Sequence, residues 1–270
     1  MNQIHPIFRV IFLAGGFLSL VAGIQLFLLA GQTEIYFAWT IQSPLMAAIM
    51  GGFFFGTMTF GFLATREHAW ENVRGGVAGL FVLLCVKLAA TFLHLDKFHL
   101  ASEHPLTLFV TWMWLATYTL LPIAVWIGFF RQRGMQAMGP ERGGLPAWMR
   151  LILLLHGLAG LITGVVLFLS PQALIPHWAW ALTPLTARAL AAWFLSFAVV
   201  DWFILRDNDP RRMGIIRIEY AVSVVFVLIA LVRFGDELNW HSPGAPAFLA
   251  YLAGMLILGV AGSLKRSYSG

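Results

Sequence analysis

The sequence predicts an all-α, polytopic membrane bundle of eight transmembrane helices, arranged as two parallel four-helix repeats. Three observations predict this fold: an apolar composition, apolar runs of membrane-spanning length, and residue matches that recur at a nearly constant offset. Of the 270 residues, 60% are hydrophobic and 11% are charged, and the mean hydropathy is +0.81. A water-soluble globule of this composition could not cover its surface with polar groups. The predicted class is therefore an integral membrane protein.

Eight apolar runs are long enough to cross about 30 Å of hydrocarbon as helices. They cover residues 8–30, 44–65, 75–95, 106–130, 149–169, 185–206, 213–234 and 247–264. Helices are expected because a lipid-exposed backbone must satisfy its own hydrogen bonds, and because the period-two alternation of a membrane barrel is missing. The first run has full spanning length, which favours a membrane helix over a cleaved signal peptide.

Loop charge predicts the orientation of these helices. The basic loop residues fall on one side of the membrane: Arg66, Arg74, Arg131, Arg133, Arg142, Arg150, Arg206, Arg211, Arg212, Lys265 and Arg266. The loops on the opposite side contain a single lysine or arginine, Lys97. The positive-inside rule then predicts that both termini are cytoplasmic, in a plasma membrane of the bacterial inner-membrane kind. The net charge of +5 reflects this topology and contact with membrane lipids, and nucleic acid is not expected as a partner.

An internal duplication is predicted from residue matches along the whole chain. Matches at an offset of 140 or 141 residues include Gly16 with Gly157, Gly23 with Gly164, Pro44 with Pro184, Arg66 with Arg206, and Asp96 with Asp236. Chance rarely produces such a series. The predicted repeats are residues 1–135 and 149–270, joined by a cytoplasmic linker at 136–148. Because four is even, both repeats begin on the cytoplasmic side, and the repeats are parallel.

The duplicated positions include two helix starts. Ser43 and Thr183 each precede a proline that opens an apolar run, which is the pattern of a hydroxyl N-cap followed by proline at the first helical position. Trp39 and Trp180 lie just before these starts. They are interpreted as anchors at the headgroup level, with the lining of a ligand entrance as the alternative.

Glycines spaced four residues apart indicate close helix packing. The pairs are Gly52 with Gly56, Gly75 with Gly79, and Gly160 with Gly164. Small residues at this spacing let helix backbones approach closely. Packing within the bundle is favoured over a dedicated dimer face.

Lys87 is the main candidate for a ligand-binding residue, because an ionisable side chain in mid-membrane is costly. Its matched position in the second repeat is Val227, so the fold itself does not need a lysine there. Thr91 and His94 follow at i+4 and i+7, on the same helical face. Further polar neighbours are expected on the flanking helices, namely Thr57 and Tyr118. These residues predict a polar cavity that opens outward, and the alternative is a lysine that snorkels without binding anything.

A second group of ionisable residues forms a predicted intramembrane charge cluster. Asp201 lies near the end of the sixth run, and Arg217 and Glu219 lie near the start of the seventh. An ion pair between Asp201 and Arg217 is the favoured interpretation, with a proton or ion relay as the alternative.

His156 is the one further candidate for contact with a cofactor. It could ligate a haem or bind a quinone, but the other histidines lack the paired spacing of a di-haem bundle. A hydrogen-bonded packing histidine is favoured, haem or pigment is not expected, and no cofactor is predicted. The histidine spacings fit no standard zinc motif, and no metal site is predicted. The single cysteine, Cys85, excludes an intramolecular disulfide.

The favoured function is non-enzymatic binding or transport of a small or lipophilic solute, with an anionic solute included, in the cavity around Lys87. One alternative is an accessory subunit or assembly factor of a larger membrane complex. Another is a membrane-embedded enzyme acting on lipid or quinone through His156 or Asp201. A small-molecule ligand is expected as a partner, and a homo-oligomer or a membrane-complex partner is left open.

Overall fold

The computed structural model describes residues 3–132 and 144–261, and these residues are helical throughout apart from short turns and loops. The long helices are α1 (Pro6–Leu28), α2 (Pro44–Ala64), α3 (Trp70–Leu93), α4 (Pro105–Gln132), α5 (Ala147–Leu169), α6 (Pro184–Asp207), α7 (Ile216–Arg233) and α8 (Gly244–Ala261). The predicted all-α fold is therefore confirmed.

Seven helices in the described ranges are long and apolar enough to cross a membrane: α1 to α6, and α7 taken together with the turn before it. The predicted helical membrane protein is confirmed to this extent. Helix α8 is also apolar, but it is shorter. The predicted end of its run at residue 264 lies outside the described residues, as do most of the linker at 136–148 and the basic residues Arg133, Arg142, Lys265 and Arg266.

Helices α2 and α6 form the centre of the bundle. Helix α2 packs against α1 and α7, and α6 packs against α5 and α3. Helices α4 and α8 lie beside α3 and α7. Polar contacts hold α3 to α6 at both ends, since Arg74 pairs with Asp207 at one end and Arg188 contacts His94 at the other.

Both predicted helix starts are confirmed. The side chain of Ser43 accepts a hydrogen bond from the backbone N–H of Met46, and Thr183 forms a capping box with Thr186. The tryptophan interpretation is wrong, because Trp39 and Trp180 are only 2% and 3% exposed. These indoles pack against aromatic rings of α4 and α8 instead of facing the headgroups.

The predicted glycine pairs pack against other helices of the same chain. A Cβ atom added at Gly56 would overlap the Ser223 hydroxyl of α7, and one at Gly79 would lie 2.9 Å from the Ser196 carbonyl of α6. A Cβ at Gly164 would lie 2.7 Å from the Leu195 side chain. These contacts explain the spacing by close packing within the bundle.

Gly61→Ala is expected to lower thermal stability in detergent, while Gly15→Ala is expected to leave it unchanged or raise it. A Cβ at Gly61 would lie 2.8 Å from both the Gly16 Cα and the Phe12 carbonyl oxygen, where the backbone has little room to yield. Such overpacking costs about 1–3 kcal/mol. No atom lies within 4 Å of a Cβ at Gly15. Equal melting temperatures for the two variants would contradict the close contact between α1 and α2.

Candidate functional site

A cavity of about 350 Å³ lies among the first four long helices. Its walls are almost entirely apolar, and every one of the four helices contributes to them. The wall includes Ile11, Gly15 and Gln25 of α1, Thr57 and Gly61 of α2, Leu80 and Leu84 of α3, and Val110, Thr117 and Tyr118 of α4. Ile11 and Gln25 are fourteen positions apart, which corresponds to about 21 Å of helix. The cavity is therefore long and narrow, and it runs along the helix axes.

The cavity lies between α1 and α4, on the side of the bundle away from the second half. Close to one end these helices meet, where the Phe8 ring packs against Gly128. Further along, the wall residues Phe17 of α1 and Phe109 and Met113 of α4 are exposed at the protein surface. In a membrane this surface faces lipid, so the cavity opens sideways between α1 and α4.

Lys87 lies inside the bundle and is only 1% exposed. Its Nζ lies over the ring of Trp193, 3.6 Å from the ring centroid, and 4.9, 5.4 and 5.8 Å from the ring centroids of Phe54, Trp114 and Tyr118. Within the described residues, Nζ has no hydrogen-bond partner. The electron-rich faces of aromatic rings attract a cation, which partly offsets the loss of water. Lys87 therefore lies in an aromatic cage formed by these four rings, and the surroundings are less polar than the sequence predicted.

The predicted threonines hold the cage together. Thr91 donates a hydrogen bond to the Lys87 carbonyl at 2.8 Å and accepts one from the Trp114 indole at 3.0 Å. Thr57 accepts a hydrogen bond from the Trp193 indole at 3.5 Å. Each of these two threonines thus orients one tryptophan of the cage.

Three of the four rings of the aromatic cage also form the cavity wall. Phe54, Trp114 and Tyr118 line the cavity, but Lys87 does not. The amine therefore lies behind the aromatic part of the cavity wall. Of the predicted ligand residues, Thr57 and Tyr118 reach the cavity directly, whereas Lys87 and Thr91 lie behind its wall.

The aromatic cage itself was missed by sequence reasoning. Trp193 belongs to α6, in the other half of the chain, and helical spacing around Lys87 says nothing about it. The available signal was a buried lysine without a carboxylate at its depth. Such a lysine needs another source of negative potential, and aromatic rings are one.

His94 does not join the aromatic cage. Its Nε2 lies 2.7 Å from Nη1 of Arg188, whose Nε donates to the Phe168 carbonyl at 2.9 Å. Since arginine can only donate, His94 is the acceptor and is neutral in this contact. Burial lowers the pKa of His94 from its ordinary value of 6.5, and the Arg188 cation lowers it further.

Acidification is expected to weaken this contact. Because the pKa of His94 is lower in the folded chain, its contribution to stability is present above pH 6.5 and is lost as the pH falls through the lowered pKa. We therefore expect the melting temperature of the parent protein to fall more steeply than that of His94→Gln between about pH 7 and about pH 5. His241→Gln, at an exposed histidine, should keep the parent slope. If the melting temperatures of the parent and His94→Gln fell equally with pH, neutral His94 would not be the acceptor for Arg188.

Asp201 does not form the predicted ion pair with Arg217. Its fully buried carboxylate contacts Nδ1 of His156 at 2.6 Å and accepts a hydrogen bond from the Tyr220 hydroxyl at 2.9 Å. Arg217 is half-buried and donates from Nε to the Gly214 carbonyl at 3.3 Å. Arg217 lies in the first turn of α7, and its long side chain reaches the residues just before the helix. The shorter imidazole of His156 stays inside the bundle with the Asp201 carboxylate. Glu219 is buried nearby on α7, and its backbone carbonyl packs against Gly56.

His156 is a buried histidine that is hydrogen-bonded to Asp201. Besides its bond to Asp201, its ring stacks on Tyr251 with the centroids 4.1 Å apart. Within the described residues, neither its Nε2 nor the Tyr251 hydroxyl has a hydrogen-bond partner. We refer to His156, Asp201, Tyr220 and Tyr251 as the His–Asp–Tyr cluster.

These features describe a helical integral membrane protein with a sideways-opening apolar cavity and a buried lysine beside it. Comparisons with models of protein families, with curated proteins and with solved structures found no match to this chain.

Proposed function

We propose that this protein binds a lipophilic solute whose hydrocarbon chain lies in the cavity between α1 and α4. The observation that carries the proposal is the cavity itself, which is apolar, elongated and open toward lipid. An apolar void facing a bilayer is filled most readily by the chains around it, since hydrocarbon regains the contacts that the empty wall lacks. The proposed solute is therefore a single-chain lipid that arrives from the membrane.

The cavity shape favours a hydrocarbon chain. Its wall extends along about 21 Å of α1, and its volume is about 350 Å³. An extended hydrocarbon chain matches this length.

Internal duplication, which we also propose, accounts for the position of the cavity. Equivalent backbone hydrogen bonds occur in both halves, from His99 N to Ala38 O and from Asn239 N to Ala179 O. Matching helix pairs also pack together, such as α1 with α2 and α5 with α6. In this proposal α8 is the eighth span, opposite α4.

The duplication assigns each member of the His–Asp–Tyr cluster a partner position in the first half. The pairs are His156 with Gly15, Asp201 with Gly61, Tyr220 with Leu80, and Tyr251 with Val110. All four first-half residues line the cavity. The two halves thus differ at one equivalent place. In the second half it is filled by the His–Asp–Tyr cluster, and in the first half it is the cavity that we propose as the solute site.

The membrane and orientation are proposed from loop charge. The basic loop residues favour a plasma membrane of the bacterial inner-membrane kind with both termini in the cytoplasm. Activity of a cytoplasmic reporter fused to the C-terminus would check this orientation.

The binding proposal is tested with tritium-labelled palmitate, whose extended chain is comparable in length to the cavity. The protein is reconstituted in lipid nanodiscs, and bound label is counted after competition with unlabelled palmitate. We expect saturable binding at one site per chain. Label that is only proportional to total lipid would refute the solute proposal, and an accessory-subunit role would then be the better account.

The His–Asp–Tyr cluster favours a second candidate function, a membrane-embedded enzyme. A carboxylate that orients a histidine, whose other nitrogen is left without a partner among the described residues, has the geometry of a general base. Turnover of a lipid or quinone that is abolished by His156→Gln would support it.

A further inference from the structure

Hydrocarbon alone does not explain selective binding in a bilayer. A chain that moves from lipid into an apolar cavity gains no hydrophobic free energy, because lipid tails are as apolar as the wall. Selection among lipids therefore needs a polar contact. The strongest polar group beside the cavity is the Lys87 amine, which has three donors and no acceptor for them among the described residues.

We infer that the solute ends in a carboxylate and that this carboxylate binds Lys87 and Tyr118, so that the ligand class is a free fatty acid. This inference rests on the proposed function. A carboxylate supplies what Lys87 lacks: acceptor oxygens and a negative charge. The protein supplies no such partner, since no ion pair of Lys87 occurs within the described residues. A membrane-buried ammonium gains more from an anion than from a neutral hydroxyl.

The aromatic cage provides the route from the cavity to the amine. Trp114 and Trp193 are each held by a hydrogen bond, to Thr91 and Thr57. Within the described residues no hydrogen bond holds the Tyr118 hydroxyl, and its ring stacks on Trp114 with centroids 4.3 Å apart. Phe54, the other wall ring without a hydrogen bond, carries no donor, so we take Tyr118 as the ring that turns aside. In doing so it brings its own hydroxyl, a hydrogen-bond donor, to the same carboxylate.

The depth of these groups sets the pose of the ligand. Tyr118 lies at the middle of α4 and Lys87 lies six residues before the end of α3, and both are buried, so the carboxylate would lie inside the bundle. The hydrocarbon chain would extend from there along the cavity and leave through the opening beside Phe109 and Met113. This pose is the reverse of a fatty acid in a bilayer, where the carboxylate lies at the surface.

The test compares palmitate with hexadecanol, which has the same chain and a neutral end, at a pH where the acid is ionised in the bilayer. The parent protein is expected to bind palmitate at least about tenfold more tightly. Lys87→Met should bind both with similar affinity, close to that of hexadecanol on the parent. Lys97→Met is the matched control, because this lysine is exposed and does not line the cavity, and it should keep the parent preference.

The outcomes separate the two proposals. Retention of hexadecanol binding by Lys87→Met shows that the variant is folded, and a palmitate preference that persists in it would overturn the inference. Tyr118→Phe keeps the ring and removes the donor, so it should reduce the preference by a smaller factor, and an unchanged preference there would remove Tyr118 from the site. If the parent protein binds neither compound, the proposed function fails before the role of Lys87 is reached.

Discussion

Val110→Phe is expected to abolish palmitate binding while the protein stays folded. Val110 lines the cavity, and a phenyl ring at this position would occupy space that the chain needs. The equivalent position in the second half holds Tyr251, so a ring is compatible with the fold at this place. We expect at least a tenfold loss of affinity, about 1.4 kcal/mol, in the nanodisc binding assay. Thermal stability should be unchanged or higher, because filling a void restores contacts that the empty cavity lacks.

Two further variants make this result interpretable. Ile123→Phe adds the same ring to the exposed face of α4, outside the cavity, and should bind palmitate like the parent. Gly15→Leu fills the cavity from α1, where a Cβ has no atom within 4 Å, and should weaken binding like Val110→Phe. Unchanged binding in both cavity variants would mean that the palmitate chain lies elsewhere.

Asp201→Ala is expected to destabilise the protein more than the cavity variants Val110→Phe and Gly15→Leu. Removal of the carboxylate leaves the His156 Nδ1–H and the Tyr220 hydroxyl buried without their partner. Each unsatisfied buried donor costs about 1–3 kcal/mol, so the expected loss is about 2–6 kcal/mol. The measurement is thermal unfolding in detergent. Asp96→Ala, at an exposed aspartate, should change stability little.

Double variants identify the partners of Asp201. Losses for Asp201→Ala and His156→Phe should be far from additive, because both remove the same hydrogen bond. Losses for Asp201→Ala and Arg217→Met should add, because these side chains do not meet. The opposite pattern would restore the ion pair that the sequence favoured.

Much of the fold could be predicted because it depends on local chemistry. Apolar run length predicted the helices, and Ser43 and Thr183 predicted two helix starts, since a cap is formed within a few residues. The burial of Lys87 was also predictable, as a charge on a lipid-facing surface would be too costly. These features require no knowledge of which helices are neighbours.

The site could not be predicted in the same way, because it depends on contacts between distant helices. Trp193 approaches Lys87 from α6, and His156 takes the place at Asp201 that was assigned to Arg217. Helical spacing orders the residues of one helix but does not identify the facing helix. The cavity is harder still, since it results from side chains that are small or missing, as at Gly15. The available signal for the cavity was the comparison of matched positions in the two halves. Gly15 and Val110, for example, match His156 and Tyr251, which are larger.

The position of the bound hydrocarbon chain decides whether the cavity between α1 and α4 is a binding site. A palmitate that carries a photoreactive diazirine in its chain can be crosslinked to the protein in nanodiscs, and the labelled peptides identified by mass spectrometry. We expect the label to saturate and to be concentrated in α1 and α4, within 11–25 and 106–121, and excess unlabelled palmitate to remove it. Helix α5 is the internal control, because it has many exposed leucines and none of them lines the cavity between α1 and α4. Label spread over α5 and α1 in proportion to exposure, and resistant to competition, would contradict a binding site between α1 and α4.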